Sequence, residues 1–240
     1  MDIVIITGAS KGIGKELYKQ FGEDGAAVYG LARSNPDQLE HIKEVDVTDT
    51  EKASALLKSI VMRHLDKAGS FTLINNAGVI DPISLTGALP AEEVERAVQV
   101  NLTAPIQLIN TFIASLEEFT GTKKVLNISS GAGRYAYEGW SIYCATKAGL
   151  DQFSAVVALE QRQAANPVGI VSIAPGIIDT GMQETIRSSS AEQFPHLEKF
   201  VNYKEQGQLS TAEETAGQLL RFTKETNFLE AETISDIRQT

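Results

Sequence analysis

The sequence predicts an α/β fold: a doubly wound, mostly parallel seven-stranded sheet with helices on both faces. Three observations predict it. Short β-branched runs alternate with longer helical patterns along the chain. A glycine-rich turn, TGASKGIG, directly follows the first apolar run. No repeat and no Gly- or Pro-rich linker divides the 240 residues, so one domain over 1–240 is expected.

The strands are expected at 3–7, 27–32, 43–47, 72–75, 124–129, 169–174 and 233–236. Each is short, rich in Val, Ile, Leu and Ala, and bounded by turn residues. Between the third and fourth, Ala53, Leu56, Leu57, Ile60, Val61 and His64 recur at spacings of three and four, which makes one apolar stripe on a helix. Thr48 and Asp49 are its candidate caps. A second stripe begins with Val94, Ala97 and Val98, is interrupted at Pro105, and continues through Ile106, Ile109, Phe112, Ile113 and Leu116. Phe153, Val156, Val157 and Leu159 mark a third helix. The stretch RSSSAEQFPH reads as the most loop-like segment, and a flexible substrate lid is expected over about 182–208.

Composition excludes several classes of partner. The chain carries 21 Lys+Arg against 31 Asp+Glu, a net charge of −10. Such a surface does not attract nucleic acid or anionic membrane. The apolar run IVII at 3–6 is too short for a signal peptide, and no apolar segment has the length of a bilayer span. Cys144 is the single cysteine, so no internal disulfide forms, and a cytoplasmic location is expected. His41, His64 and His196 lack metal-ligand spacing, so no metal is expected.

Glycines 8, 12 and 14 allow a tight turn and the close approach of a diphosphate. The helix that follows offers free N–H groups and a positive dipole end to it. The candidate contacts in this loop are Gly8, Ser10, Lys11, Gly12, Ile13 and Gly14.

Tyr143 and Lys147 stand four residues apart and share one helix face. A free tyrosine titrates near pH ~10, and a neighbouring ammonium favours its phenolate. The pair therefore reads as a proton-transfer couple. Cys144 reads as a packed residue rather than a nucleophile.

The glycine loop, NNAG at 75–78, Asn101, Ser130, YCATK at 143–147 and APG at 174–176 occur in the order of the short-chain dehydrogenase/reductase family. The chain resembles that family over nearly its whole length. The resemblance implies a Rossmann-type sheet, a nicotinamide cofactor, and hydride transfer to or from a carbonyl carbon. It implies a catalytic set of Asn101, Ser130, Tyr143 and Lys147. Tyr143 would move the proton, Ser130 polarise the carbonyl, and Lys147 also hold the nicotinamide ribose. Asn101 would hold a water that relays protons from Lys147. Ser129 competes with Ser130, but the thirteen-residue offset to Tyr143 favours Ser130. Asn76, Ala77, Gly78, Pro175, Gly176, Ile178 and Thr180 match further cofactor positions.

An acid at the end of the second strand would select NAD, and a cation NADP. Arg33 and Ser34 stand there, with Lys11 in the glycine loop, which implies NADP(H). Asp46 and Val47 resemble adenine contacts, although Asp46 also fits a helix-start acid. Within the family, GWSIYCATKAGLDQF resembles the sepiapterin and benzil reductases. This implies a small-molecule carbonyl substrate, foremost a 1,2-dicarbonyl, held by Ser130, Trp140, Tyr143, Gly176 and Asp236. Trp140 reads equally as a pocket wall or a core residue, and Asp236 as a pterin anchor or a tail acid. A 3-oxoacyl-thioester reductase, a sugar or polyol dehydrogenase, and a silent NADP-binding sensor are the other readings. The family also implies a homodimer or homotetramer through helices near 94–118 and 143–162.

Overall fold

Val4 and Ile6 face one side of the central strand β1 (Asp2–Thr7), and Ile3 and Ile5 face the other. All four are buried, because side chains alternate along a strand and this strand is covered on both faces. The computed structural model describes residues 1–239. Its sheet continues through β2 (Ala27–Ala32), β3 (Ile42–Glu44), β4 (Ser70–Asn75), β5 (Thr122–Ile128), β6 (Gly169–Ala174) and β7 (Ile234–Asp236). The strand order is β3-β2-β1-β4-β5-β6-β7, and every pairing is parallel. The winding reverses between β1 and β4, and the crevice at their carboxyl ends is where such sheets bind ligands.

The helices are α1 (Gly12–Glu23), α2 (Thr50–His64), α3 (Ala91–Val98), α4 (Ala104–Ser115), α5 (Ser141–Gln161), α6 (Gly181–Arg187), α7 (Leu197–Glu205) and α8 (Ala212–Glu225). Leu17 and Phe21 of α1 and Ala216 and Leu219 of α8 cover the Val4/Ile6 face. Leu57 and Ile60 of α2, Leu108 and Phe112 of α4, and Val157 of α5 cover the other. Burying each large aliphatic side chain contributes about 1.5–3 kcal/mol. The stripe read from the sequence in α2 is thus its core face.

Two local expectations are revised. β3 ends at Glu44 rather than 47. Past it, the Asp46 carboxylate accepts from the Thr48 N–H and hydroxyl at 3.0 and 2.9 Å, and this turn lifts the chain off the sheet. Asp49 then caps α2 by accepting from the Lys52 N–H at 3.1 Å. Pro105 does not break its helix. A π turn at Gln99–Thr103 joins α3 to α4 instead, and Pro105 falls in the first turn of α4, where its absent N–H is tolerated.

The stretch from Arg187 to His196 is a loop, as its composition suggests. Arg187 ends α6, and α7 opens right after His196. Between them Phe194 is fully buried. Asp179 forms ion pairs with Lys204 and Arg187, which ties α7 and α6 to the loop after β6.

Candidate active site

The glycine loop and the NNAG loop leave neighbouring strands and are joined by one hydroxyl. Thr7 Oγ1 accepts from the Asn76 and Ala77 N–H groups, each at 3.0 Å. The Asn76 amide donates back to the Thr7 and Gly8 carbonyls at 3.0 and 3.2 Å. A Cβ on Gly14 would stand 2.2 Å from the Gly8 carbonyl oxygen, so only glycine fits there. Gly8 and Gly12 have φ of +67° and +55°, which favour glycine as well.

Helix α1 starts behind this loop with no side-chain cap at Lys11. Its first N–H groups are left for a ligand, which suits a diphosphate. Ser10, Lys11 and Ile13 flank them, and the Thr180 methyl lies 3.5 Å from where a Gly12 Cβ would be. Thr180 thus brings the segment after β6 against the glycine loop, and Gly176 on that segment has φ of +87°. Pro175 is buried behind them. These residues fit a dinucleotide.

Arg33 and Ser34 are exposed just past β2, and Lys11 is exposed in the glycine loop. Among the described residues neither Arg33 nor Lys11 makes an ion pair, whereas Lys15 beside them is paired with Asp37 at 2.8 Å. Val47 is buried. Asp46 is half-engaged, accepting from Arg96 at 3.2 Å as well as from Thr48. Burial pushes its carboxyl up, but these hydrogen bonds outweigh it and hold the group below its usual range.

Near the carboxyl ends of β4 and β5 lies the polar cluster of the reaction. Tyr143 and Lys147 are both buried on α5, one turn apart. The Tyr143 hydroxyl shares a hydrogen bond with Ser130. Ser130 sits at the start of the 3-10 turn Gly131–Gly133, and its Oγ also accepts from the Ala132 N–H at 3.2 Å. Ser129 points elsewhere, buried and without a hydrogen-bond partner among the described residues. Ser130 is thus the hydroxyl at the tyrosine.

Lys147 donates to the Ile128 carbonyl at 2.8 Å, and its Nζ lies 5.7 Å from the centre of the Tyr143 ring. Burial lowers its ammonium to about 8, against an upward pull from Asp151. Burial pushes the Tyr143 phenol up to about 12, partly offset by Ser130. The sequence alone suggested that the ammonium draws the phenol toward neutrality. Desolvation is the larger effect on the phenol.

Asn101 lies in the π turn and is buried. Its side chain accepts from the Val79 N–H at 2.9 Å and donates to the Val79 carbonyl at 2.8 Å. It also donates to Thr146 at 3.3 Å. The Asn101 Oδ1 and Lys147 Nζ lie 3.5 and 3.8 Å from a Cβ placed on Gly78. Pro105, four residues on, has no N–H to offer the Asn101 carbonyl.

The proposed substrate residues part company. Trp140, next to the catalytic helix, stacks on Phe194 and meets Tyr143 and Phe200 edge-on. Its burial in this cluster fits the core reading. Asp236 is buried at the end of β7, where both oxygens accept from Arg238 at 2.8 and 2.6 Å. This pairing leads the causes that lower its pKa. Arg238 also passes 3.8 Å from a Cβ placed on Gly176.

Cys144 donates to the Tyr135 carbonyl at 3.7 Å, and burial raises its thiol, which suits packing rather than attack. His64 is paired with the Tyr29 hydroxyl at 2.7 Å, and no metal-binding cluster exists among the described residues. Sequence reading does not single out Thr7, Thr146, Arg134 or Asp151. Only Asp151 has a local signal, since it follows Lys147 by one helical turn.

The family model for short chain dehydrogenase matches residues 2–191. A benzil reductase ((S)-benzoin forming) of Bacillus subtilis is 40% identical over 92% of this chain and 92% of its own length. A benzil reductase ((S)-benzoin forming) of Bacillus cereus is 35% identical over 98% of each. Among solved structures, the KRED1-Pglu enzyme superposes with a TM-score of 0.80 at 29% identity, covering 92% of this chain and 94% of that one. Fold and site together define an oxidoreductase that binds a nicotinamide cofactor. The chain belongs to the short-chain dehydrogenase family.

Proposed function

We propose that this protein is an NADPH-dependent carbonyl reductase acting on neutral 1,2-dicarbonyl compounds such as benzil. The observation that carries the reading is the buried Tyr143 phenol, hydrogen-bonded to Ser130 and one helical turn from Lys147. The benzil reductase relatives support the same chemistry.

NADPH, when bound, supplies the hydride. Gly8, Gly12, Gly14 and the start of α1 would hold its diphosphate, Arg33 and Lys11 its 2′-phosphate, and Asp46 with Val47 its adenine. Asn76, Ala77 and Gly78 would line its ribose, while Pro175, Gly176, Ile178 and Thr180 would flank its nicotinamide. The protein's part is proton delivery. Tyr143 Oη gives its proton to the carbonyl oxygen, and Ser130 Oγ hydrogen-bonds to that oxygen as charge develops. The Lys147 ammonium stabilises the phenolate left behind. Asn101, whose carbonyl is free of its usual helix partner, would connect Lys147 to solvent for reprotonation.

Two features favour a neutral diketone over a pterin. The wall beside Tyr143 is aromatic, and Arg238 already occupies the Asp236 carboxylate. Val156 and Leu159 are exposed on α5, which suits association of copies through this helix.

NADPH oxidation measured with benzil, 1-phenyl-1,2-propanedione, sepiapterin and an acetoacetyl thioester tests the proposal. The expected order places the two aromatic diketones first. A preference for the thioester would overturn it.

A further inference from the structure

A carboxylate lies buried behind the catalytic lysine, and the reaction as described does not use it. Asp151 sits one turn beyond Lys147 on α5 and is 4% exposed. A buried carboxylate costs several kcal/mol unless it is paired.

Its partners come from other elements. Oδ1 accepts from the Ser172 hydroxyl of β6 at 2.6 Å. Oδ2 faces Arg134 Nε at 3.5 Å, and among the described residues neither atom has a hydrogen-bond partner. Arg134 follows the 3-10 turn that begins at Ser130, and it donates to the Ser235 carbonyl of β7 at 2.7 Å. A Cβ on Gly133 would stand 2.8 Å from Asp151 Oδ2 and 3.0 Å from the Lys147 carbonyl carbon. The turn that carries Ser130 thus rests directly on the Lys147–Asp151 turn of α5.

The charged and titratable groups around Lys147 are few. Tyr143 and Asp151 come from α5 itself. Arg134 reaches the cluster from the segment after β5. The π turn, the NNAG loop and β6 contribute only the neutral Asn101, Gly78 and Ser172. Asp151 is buried on the same face of α5 as Lys147, one turn on, where its negative charge favours the ammonium.

We propose that Asp151 is a positioning residue that holds Lys147 as an ammonium, and that Arg134 opposes it, coupling the C-terminal strand to the catalytic lysine. The proposal rests on the Tyr143–Lys147 reading above. Its signature is a pair of substitutions with opposite signs. Asp151→Asn keeps the shape and removes the favourable field. Arg134→Gln removes a competing cation and leaves Asp151 to act on Lys147 alone.

The test titrates Lys147 in cofactor-free enzyme labelled with [13C]lysine, with Lys147→Arg assigning the Cε signal. In parallel, kcat/KM for benzil is followed against pH. In Asp151→Asn the Lys147 midpoint should fall by about one unit or more, and in Arg134→Gln it should rise. The alkaline limb of kcat/KM should move with it, so a one-unit fall in Asp151→Asn loses about fivefold near pH ~8 and little near pH ~6.

Midpoints unmoved in both variants, or moved the same way, would overturn the proposal, as would a limb that ignores a moved midpoint. If Asp151→Asn does not fold, the upward shift in Arg134→Gln decides alone. An enzyme inert toward every carbonyl would sink the functional reading, while the lysine titration would still decide this one.

Discussion

The Trp140 indole lies flat on the Phe194 ring, with centroids 4.6 Å apart and 11° between the planes. Phe200 meets both rings, so α7 is clamped to the start of the catalytic helix. Phe194→Ala should destabilise the protein by about 3–5 kcal/mol through the cavity it leaves. It should also raise KM for benzil while leaving NADPH affinity near wild type. Urea unfolding and separate KM and Kd measurements check this; an unchanged KM would remove the aromatic layer from the substrate site.

Tyr143 is the only phenol hydrogen-bonded to Ser130 among the described residues. Tyr143→Phe should lower kcat by about 10²–10⁴-fold, the usual worth of a positioned general acid. NADPH binding, followed by fluorescence, should persist. Activity near wild type would show that the proton comes from elsewhere.

Lys147 sets the pH dependence. Burial holds it at about 8, below its ordinary 10.5. Reduction should therefore weaken as pH rises through about 8, when the ammonium is lost. Stability moves the other way. Between about 8 and 10.5 the unfolded chain binds the proton and the folded chain does not, so this group's contribution grows as pH rises and is lost as pH falls through about 8. Lys147→Met should flatten both profiles. A stability curve across this window that is the same with and without the lysine would contradict the assignment.

Arg33 is exposed and without an ion pair among the described residues. If it holds a 2′-phosphate, Arg33→Asp should weaken NADPH by about 10–100-fold, the worth of one charge-assisted contact. NADH should improve at the same time. An unaltered NADPH/NADH ratio would place the phosphate on other residues.

Asp236 spends both oxygens on Arg238. Asp236→Asn should accordingly slow benzil and sepiapterin alike, by loosening the end of β7 beside Gly176. A loss confined to sepiapterin would restore the carboxylate as a pterin anchor.

Much of the site is legible before folding because its signals are local. Strand alternation, the helical stripe from Ala53 to Val61, the glycine spacing and the four-residue step from Tyr143 to Lys147 are all properties of neighbouring residues. Sequence alone therefore determined the sheet class, the loop at its switch point and the shared helix face of Tyr143 and Lys147. It also marked the stretch between Arg187 and His196 as a loop, but its polar composition hid the fully buried Phe194.

Only the tertiary structure decided what depends on approach through space. Thr7 joins the two cofactor loops because β1 and β4 lie side by side, although Asn76 is far along the chain. Arg238 claims Asp236, and Arg134 reaches Asp151 from another element. Burial likewise raises the Tyr143 phenol and lowers the Lys147 ammonium, since the cost of removing charge from water depends on everything packed around it and not on the residues next in line.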